Sequence, residues 1–266
     1  MLLPIKYIKA LKRLAATGLI RMSVIDLETA PCVAYVWSTG EQYVSYKQIK
    51  QGVRIITAQY IDFFEKKAKF LEWDWDGVTG GNDKSLVEEF TNFANDYDIV
   101  IGQNSKSFDY KVLQERARHH RTTPLNIDFM IDTKTASSSS FRNLSHSLDC
   151  RMKQYGLGGK HHMEMQDWIN IVEGKVAPSK KMIPYGLKDV IDTQKLFWLD
   201  LPYYNLPAAT VNKIKKLVDK YILRLVCKEC EKRRQSKYDC YIISNKSFCN
   251  NCGTKRKLTK EEKVLL

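Results

Sequence analysis

Apolar positions in the first third of the chain follow the two-residue period of strands. Ile20 to Leu27 (IRMSVIDL) reads as a first strand, and Cys32 to Trp37 (CVAYVW), behind the turn-forming Pro31, reads as its neighbour. Val53 to Tyr60 (VRIITAQY) supplies a third, and three strands so close together predict an antiparallel meander. Trp73 and Trp75 alternate with acids in EWDWD, the pattern of a strand with one packed face. From Ser85 the period changes. Ser85-Leu-Val-Glu88 has the form of a capping box, and Leu86, Phe90, Phe93 and Ala94 recur at helical spacing. Asp98 to Gly102 (DIVIG) suits a short buried strand, and Phe108 to Arg121 a helix with a basic end. Ile127 to Ile131 then reads as a strand, Ser137 to Ser140 as a loop, and residues 147–159 (SLDCRMKQYGLGG) as a short helix stopped by glycine. Pro184 in a first turn opens a long helix through about Leu199.

Strands followed by alternating helices and strands predict an α/β fold, a mixed sheet flanked by helices, over residues 1–200. Leu201 to Pro207 contains two prolines and marks a boundary. A helical linker over 201–226 and a cysteine-rich module over 227–266 follow, and no internal repeat is present.

With 44% hydrophobic and 27% charged residues, the 266-residue chain has enough apolar surface for a sizeable core. No apolar run approaches the roughly 20 residues that span a bilayer, so no membrane is expected as a partner. The segment from Met1 to Met22 scatters lysines among leucines, a poor signal peptide, and seven scattered cysteines suit a reducing compartment, so a cytoplasmic location is expected. The net charge of +13 is unevenly placed: residues 26–200 hold 22 basic and 24 acidic groups, and residues 201–266 hold 16 and 6. A basic module on a near-neutral body is the arrangement expected of a protein that binds nucleic acid, although a solvated lysine-rich surface would give the same count.

Three segments suggest chemistry. Asp26 and Glu28 sit two apart at the end of the first strand, so alternation puts both carboxylates on one face, where their repulsion favours a cation between them. Taken alone, D-x-E is a frequent accident of strand ends. Asp109 in Asn104-Ser-Lys-Ser-Phe-Asp109 lies where a strand turns into a helix, the edge at which α/β proteins gather ligands, and also where a plain helix cap would sit. Tyr185 and Asp189 are four apart on one helical face, beside packing residues Leu187 and Val190, and Asp192 competes one turn onward.

In this order the three segments resemble the exonuclease motifs of the DEDD superfamily in its tyrosine variant, as in the proofreading domains of family B DNA polymerases. Asp26 and Glu28 in VIDLET match the first motif, Asp109 in NSKSFD the second, and Tyr185 and Asp189 the third. The resemblance covers roughly residues 20–200 and extends to stand-alone relatives whose GK segment before a tryptophan matches Gly159-Lys160 and Trp168. It implies a ribonuclease-H-like fold and 3′-to-5′ exonuclease activity, on DNA in preference to RNA. It also implies two Mg²⁺ or Mn²⁺ ions held by Asp26, Glu28, Asp109 and Asp189, with Tyr185 orienting the attacking water. Asn104, Phe108 and Lys160 are candidate substrate contacts. No polymerase palm follows, so a polymerase or other replication or repair protein would be a separate chain. The alternatives are a structure-selective endonuclease with the same site and a non-catalytic nucleic-acid-binding accessory protein.

Cys227-x₂-Cys230 and Cys249-x₂-Cys252, joined by an x₁₈ segment, have the spacing of a structural four-thiolate zinc site. The intervening KYDCYIIS has the β-rich composition of the hairpin that such a site needs, with Cys240 a hairpin residue rather than a fifth ligand. The module resembles a zinc ribbon holding one Zn²⁺. His161 and His162 follow a flexible glycine pair and read as exposed loop residues or phosphate contacts in preference to metal ligands.

Overall fold

A computed structural model of the chain describes residues 1–65, 67–75, 81–158, 162–221, 240–243, 246–249, 253 and 255–257. Its centre is β1 (Met22–Ala30), which pairs antiparallel with β4 (Arg54–Asp62), itself antiparallel to β5 (Ala68–Glu72). On its other side β1 runs parallel to β6 (Ile99–Gly102), and β6 parallel to β7 (Met130–Asp132). The sheet order is β5-β4-β1-β6-β7, a mixed sheet flanked by helices, as expected. A register shift in the β1–β4 ladder falls between Glu28 and Thr29.

Alternation along β1 sends successive residues into two cores. Met22 and Val24 join α1 (Ile5–Ala16), α7 (Met182–Asp200) and α8 (Ala208–Asp219) through Leu11, Leu14, Phe197, Val211 and Ile214. Ile25 and Leu27 pack on the opposite face with Phe90 of α2 (Lys84–Asn95) and Leu113 of α3 (Asp109–His120). Leu201, Tyr204 and Leu206 are also buried in the first core, and Tyr7 donates to Asp219 at 3.1 Å. A truncation that spares the body therefore belongs after Tyr221.

The strand expected at Cys32–Trp37 is reduced to β2 (Val33–Ala34), which pairs with β3 (Ile49–Gln51) in a separate two-stranded arm. The meander consists instead of β1, β4 and β5, because the side chains after Ala34 find no core to alternate into. The serine run is α4 (Thr133–Ser140), not a loop. Asp132 caps it, accepting from the amides of Lys134 and Thr135, and Ser138, Ser139 and Ser140 turn their hydroxyls back onto its carbonyls. The capping box at Ser85 is not used: α2 starts at Lys84, and the Ser85 hydroxyl goes to Asp74 at 2.6 Å. Two further helices are α5 (Leu148–Gln154) and α6 (Met165–Val172).

In the tail, β8 (Cys240–Ile243), β9 (Lys246–Cys249) and β10 (Lys255–Lys257) form an antiparallel sheet in the order β10-β9-β8, with Cys240 opposite Cys249. The hairpin read from KYDCYIIS is present. Cys227, Cys230 and Cys252 lie outside the described residues, as do Gly159, Lys160 and His161.

Candidate metal centre

Asp26 and Glu28 point to the same side of β1, opposite Gln59 and Thr57 of β4. Gln59 and Thr57 are fully buried and joined by a 2.6 Å hydrogen bond. Helix α7 closes over this face at Gly186, where a Cβ would lie 2.4 Å from the Gln59 side chain, so the approach requires glycine. That approach brings Asp189, one turn later, over β1. Asp26, Glu28 and Asp189 each present a carboxylate oxygen, and the three oxygens lie within 4.8 Å of one another. Glu28 and Asp189 are buried. At such separations each pair of charges repels by about 3–4 kcal/mol at an effective dielectric near 20, which a shared proton or a cation relieves. Carboxylate oxygens alone are a hard donor set, the kind suited to Mg²⁺ or Mn²⁺.

Asp109 stands just outside this trio, buried at the head of α3, where its Oδ1 accepts the Leu27 amide at 2.9 Å. The amide belongs to the residue between Asp26 and Glu28, so one hydrogen bond locks the start of α3 to that point of β1. Burial pushes the Asp109 carboxyl up to about 6.

The loop before Asp109 is organised by Asp132, a buried carboxylate that accepts from the amides of Asn104 at 3.2 Å and Lys106 at 3.0 Å. Asn104 takes a left-handed φ of 67°, a conformation asparagine tolerates. Gly102 is obligatory at the entry, because a Cβ there would lie 1.8 Å from the Ser105 hydroxyl oxygen. Asp26, Asp189 and Asn104 line a cavity of about 410 Å³ together with Gln103, Lys134, Ser145 and His146.

His146, Lys134 and Gln103 have no signal in the sequence, since nothing periodic marks the loop before α5. Their placement depends on buried polar contacts. Gln103 donates to the His146 carbonyl at 2.8 Å, and the His146 ring is 2.9 Å from the Ser137 hydroxyl. Arg151, fully buried, bonds Gln103 at 3.0 Å, Asp200 at 2.6 Å and Tyr204 at 2.8 Å, clamping α5 and the loop to the end of α7. Tyr155 also donates to Asp200, and burial together with that carboxylate pushes its phenol up to about 12.

Tyr185 is buried in the second core, its ring edge-on to Trp168 at 6.2 Å. Phe108 is exposed immediately before α3 and does not line the cavity, and Lys160 lies outside the described residues. Asp192 is held in ion pairs by Lys188 and by Lys195 at 3.3 Å. Trp73 is buried under the Arg54 guanidinium, 5.1 Å away, while Trp75 is partly exposed against Gly174. His162 is exposed beside Glu164 at 4.0 Å. Cys249 is buried at the end of β9.

No family model matches the chain, and no curated protein matches it. Among solved structures, the family B DNA polymerase from the hyperthermophilic archaeon Pyrobaculum calidifontis is similar over 69% of this chain, with 17% sequence identity and a TM-score of 0.49. The chain covers 25% of that polymerase. Among the described residues, no helix is long and apolar enough to cross a membrane.

Proposed function

We propose that the chain is a ribonuclease-H-like, metal-dependent nuclease of the tyrosine-variant DEDD type, which hydrolyses phosphodiester bonds from the 3′ end of DNA. The observation that carries this reading is the meeting of Asp26, Glu28 and Asp189 within 4.8 Å, with Asp109 fastened next to them through the Leu27 amide. Three sequence segments chosen for their order thus supply carboxylates to one neighbourhood. Asp26, Glu28, Asp189 and Asp109 would hold the divalent ions, which when bound activate water and offset charge on the leaving oxygen. The chain's own part is to fix those oxygens, to exclude bulk water through the α7–β4 closure at Gly186, and to present Asn104 and Lys134 to a substrate in the cavity.

The test is digestion of matched DNA and RNA oligomers labelled at either end, with Mg²⁺ or Mn²⁺ and with EDTA. Stepwise loss of nucleotides from the 3′ end in metal supports the reading, internal cuts with a blocked 3′ end point to the endonuclease alternative, and no metal-dependent cleavage refutes it. In the same assay Tyr185→Phe should lower the rate by about tenfold, since it removes a water-orienting hydroxyl and no metal ligand. A change as complete as that of the aspartate variants would assign Tyr185 a different role.

The tail is proposed as a zinc ribbon that grips nucleic acid, with Cys227, Cys230, Cys249 and Cys252 as ligands. Residues 222–266 carry 12 basic and 5 acidic groups. Ending the chain at Tyr221 should therefore remove one zinc per molecule by atomic emission, weaken binding of a long oligonucleotide, and flatten its dependence on salt. Unchanged affinity and salt slope in a folded truncation would make the tail a protein-docking element instead.

A further inference from the structure

The arm between β1 and β4 has no role in the centre described above, and its composition is unlike the rest of the chain. Tyr35, Trp37, Tyr43 and Tyr46 crowd into this one short stretch, against 11% aromatic residues overall. None is packed away: Trp37 is fully exposed, Tyr43 is 93% exposed, and Tyr35 and Tyr46 are also exposed. The arm's base is nonetheless ordered by hydrogen bonds. Tyr35 donates its amide to the Gln48 carbonyl at 2.9 Å, and the Gln48 side chain bonds the Tyr35 carbonyl at 3.0 Å and the Ser45 amide at 2.9 Å. Four exposed aromatic rings on a fastened support make a surface that water solvates poorly and a partner would cover.

Charge identifies the kind of partner. Lys47 and Lys50 lie among the rings, with the Lys50 ammonium 5.8 Å from the Tyr35 ring centre. Behind the arm, Lys50 lies across a cavity of about 790 Å³ from Lys111, Glu115 and His119 of α3. Over residues 33–54 there are three basic groups and one acid, with Arg54 turned onto Trp73; over 109–121, where Arg116 is buried on Asp83 and Asp109 is buried at the helix start, the exposed charges are Lys111, Arg118 and Arg121 against Glu115. Lysine is depleted at the cores of protein interfaces, but lysines interleaved with flat rings match a single nucleic-acid strand, whose phosphates take the cations and whose bases stack on the rings. The two walls also leave the metal centre directly: the arm departs from β1 two residues after Glu28, and α3 begins at Asp109.

We infer that the β2–β3 arm and the basic face of α3 form a stacking platform for single-stranded nucleic acid. This rests on the nuclease reading only for what lies at the strand's end. The test measures binding of fluorescent dT₃₀ and rU₃₀ to the zinc-loaded full chain without added Mg²⁺ or Mn²⁺, by anisotropy over a range of salt. Trp37→Ala and Tyr43→Ala, both at exposed positions, should each weaken binding at least about fivefold, and Lys47→Gln should lower the salt slope by about one unit or less. The tighter of the two oligomers distinguishes DNA from RNA as the natural strand. If both aromatic variants bind both oligomers as the wild type does, or if the wild type binds neither, the inference is overturned, and the surface then faces a protein. Cleavage by the wild type in Mn²⁺ is scored separately. Binding through the arm without metal-dependent cleavage would refute the nuclease and leave the platform standing, whereas cleavage with arm variants of unchanged affinity would do the reverse.

Discussion

Asp26→Asn and Asp189→Asn are each expected to lower metal-dependent hydrolysis of an end-labelled oligonucleotide by about a thousandfold. Metal ions supply several kcal/mol of stabilisation to developing charge, and each step of about 1.4 kcal/mol is a decade in rate. The same variants should be more stable than the wild type in EDTA, because neutralising one member of a trio of carboxylates within 4.8 Å removes mutual repulsion that a cation or a proton would also relieve. Urea titrations with and without Mn²⁺ check this. The wild type should gain stability from the metal and the variants should gain much less. Turnover by Asp26→Asn at the wild-type rate would sink the assignment. Asp109→Asn is the informative companion, for an amide oxygen can still accept the Leu27 hydrogen bond while ligating a cation poorly.

Asp83→Ala should destabilise the protein by about 3–5 kcal/mol with no direct effect on the metal centre, because it leaves a buried guanidinium without its counter-charge. Asp83 is fully buried. It receives two bonds from Arg116, at 2.8 and 2.7 Å, one from the Ile55 amide at 2.9 Å, and a contact with His120 at 2.7 Å. Burial opposes the charged form, but the Arg116, Ile55 and His120 contacts outweigh it and hold the carboxyl below the usual range. A depressed folded-state value means that this contribution is present above the unfolded value of about 3.9 and is lost as pH falls from there through the lower folded value. Denaturant unfolding at pH 7 and at a series of lower pH values should show the gap between wild type and Asp83→Ala closing as the medium becomes acidic. A gap constant down to pH 2 would contradict this account.

The residues legible in the sequence are those whose pattern and burial agree. β1, β4, β6, α2, α3 and α7 have apolar periods that the two cores use, and Asp26, Glu28 and Asp189, singled out through the resemblance to ordered motifs, meet in one carboxylate cluster. Cys32–Trp37 has the same alternation but no second layer to bury it, so a strand pattern produces an exposed arm. Ser137–Ser140 has poor helix formers, and its helix rests on the Asp132 cap, a contact made by a residue that looks ordinary in the chain. Asp83, Asp132 and Asp200 are buried carboxylates whose partners lie 33, 28 and 49 residues away, at Arg116, Asn104 and Arg151 respectively. No local signal separates them from surface aspartates. Helix α1 is hidden for a different reason: lysines scattered among its leucines make it a poor leader without marking it as a helix, although Ile8, Leu11 and Leu14 form a core stripe.

The bond from the Leu27 amide to Asp109 ties the carboxylate cluster to assembly of the sheet. If β1 paired with β4 one residue out of step, the pleat would turn Asp26 and Glu28 to the opposite face, and the amide that anchors Asp109 would turn with them. All the carboxylates on β1 and α3 would be lost to the centre at once, with no intermediate arrangement that keeps half of it. On the proposed nuclease reading, a chain mispaired in this way during synthesis would be unable to cut, and the activity would arise only in molecules whose central strand had found its proper neighbour.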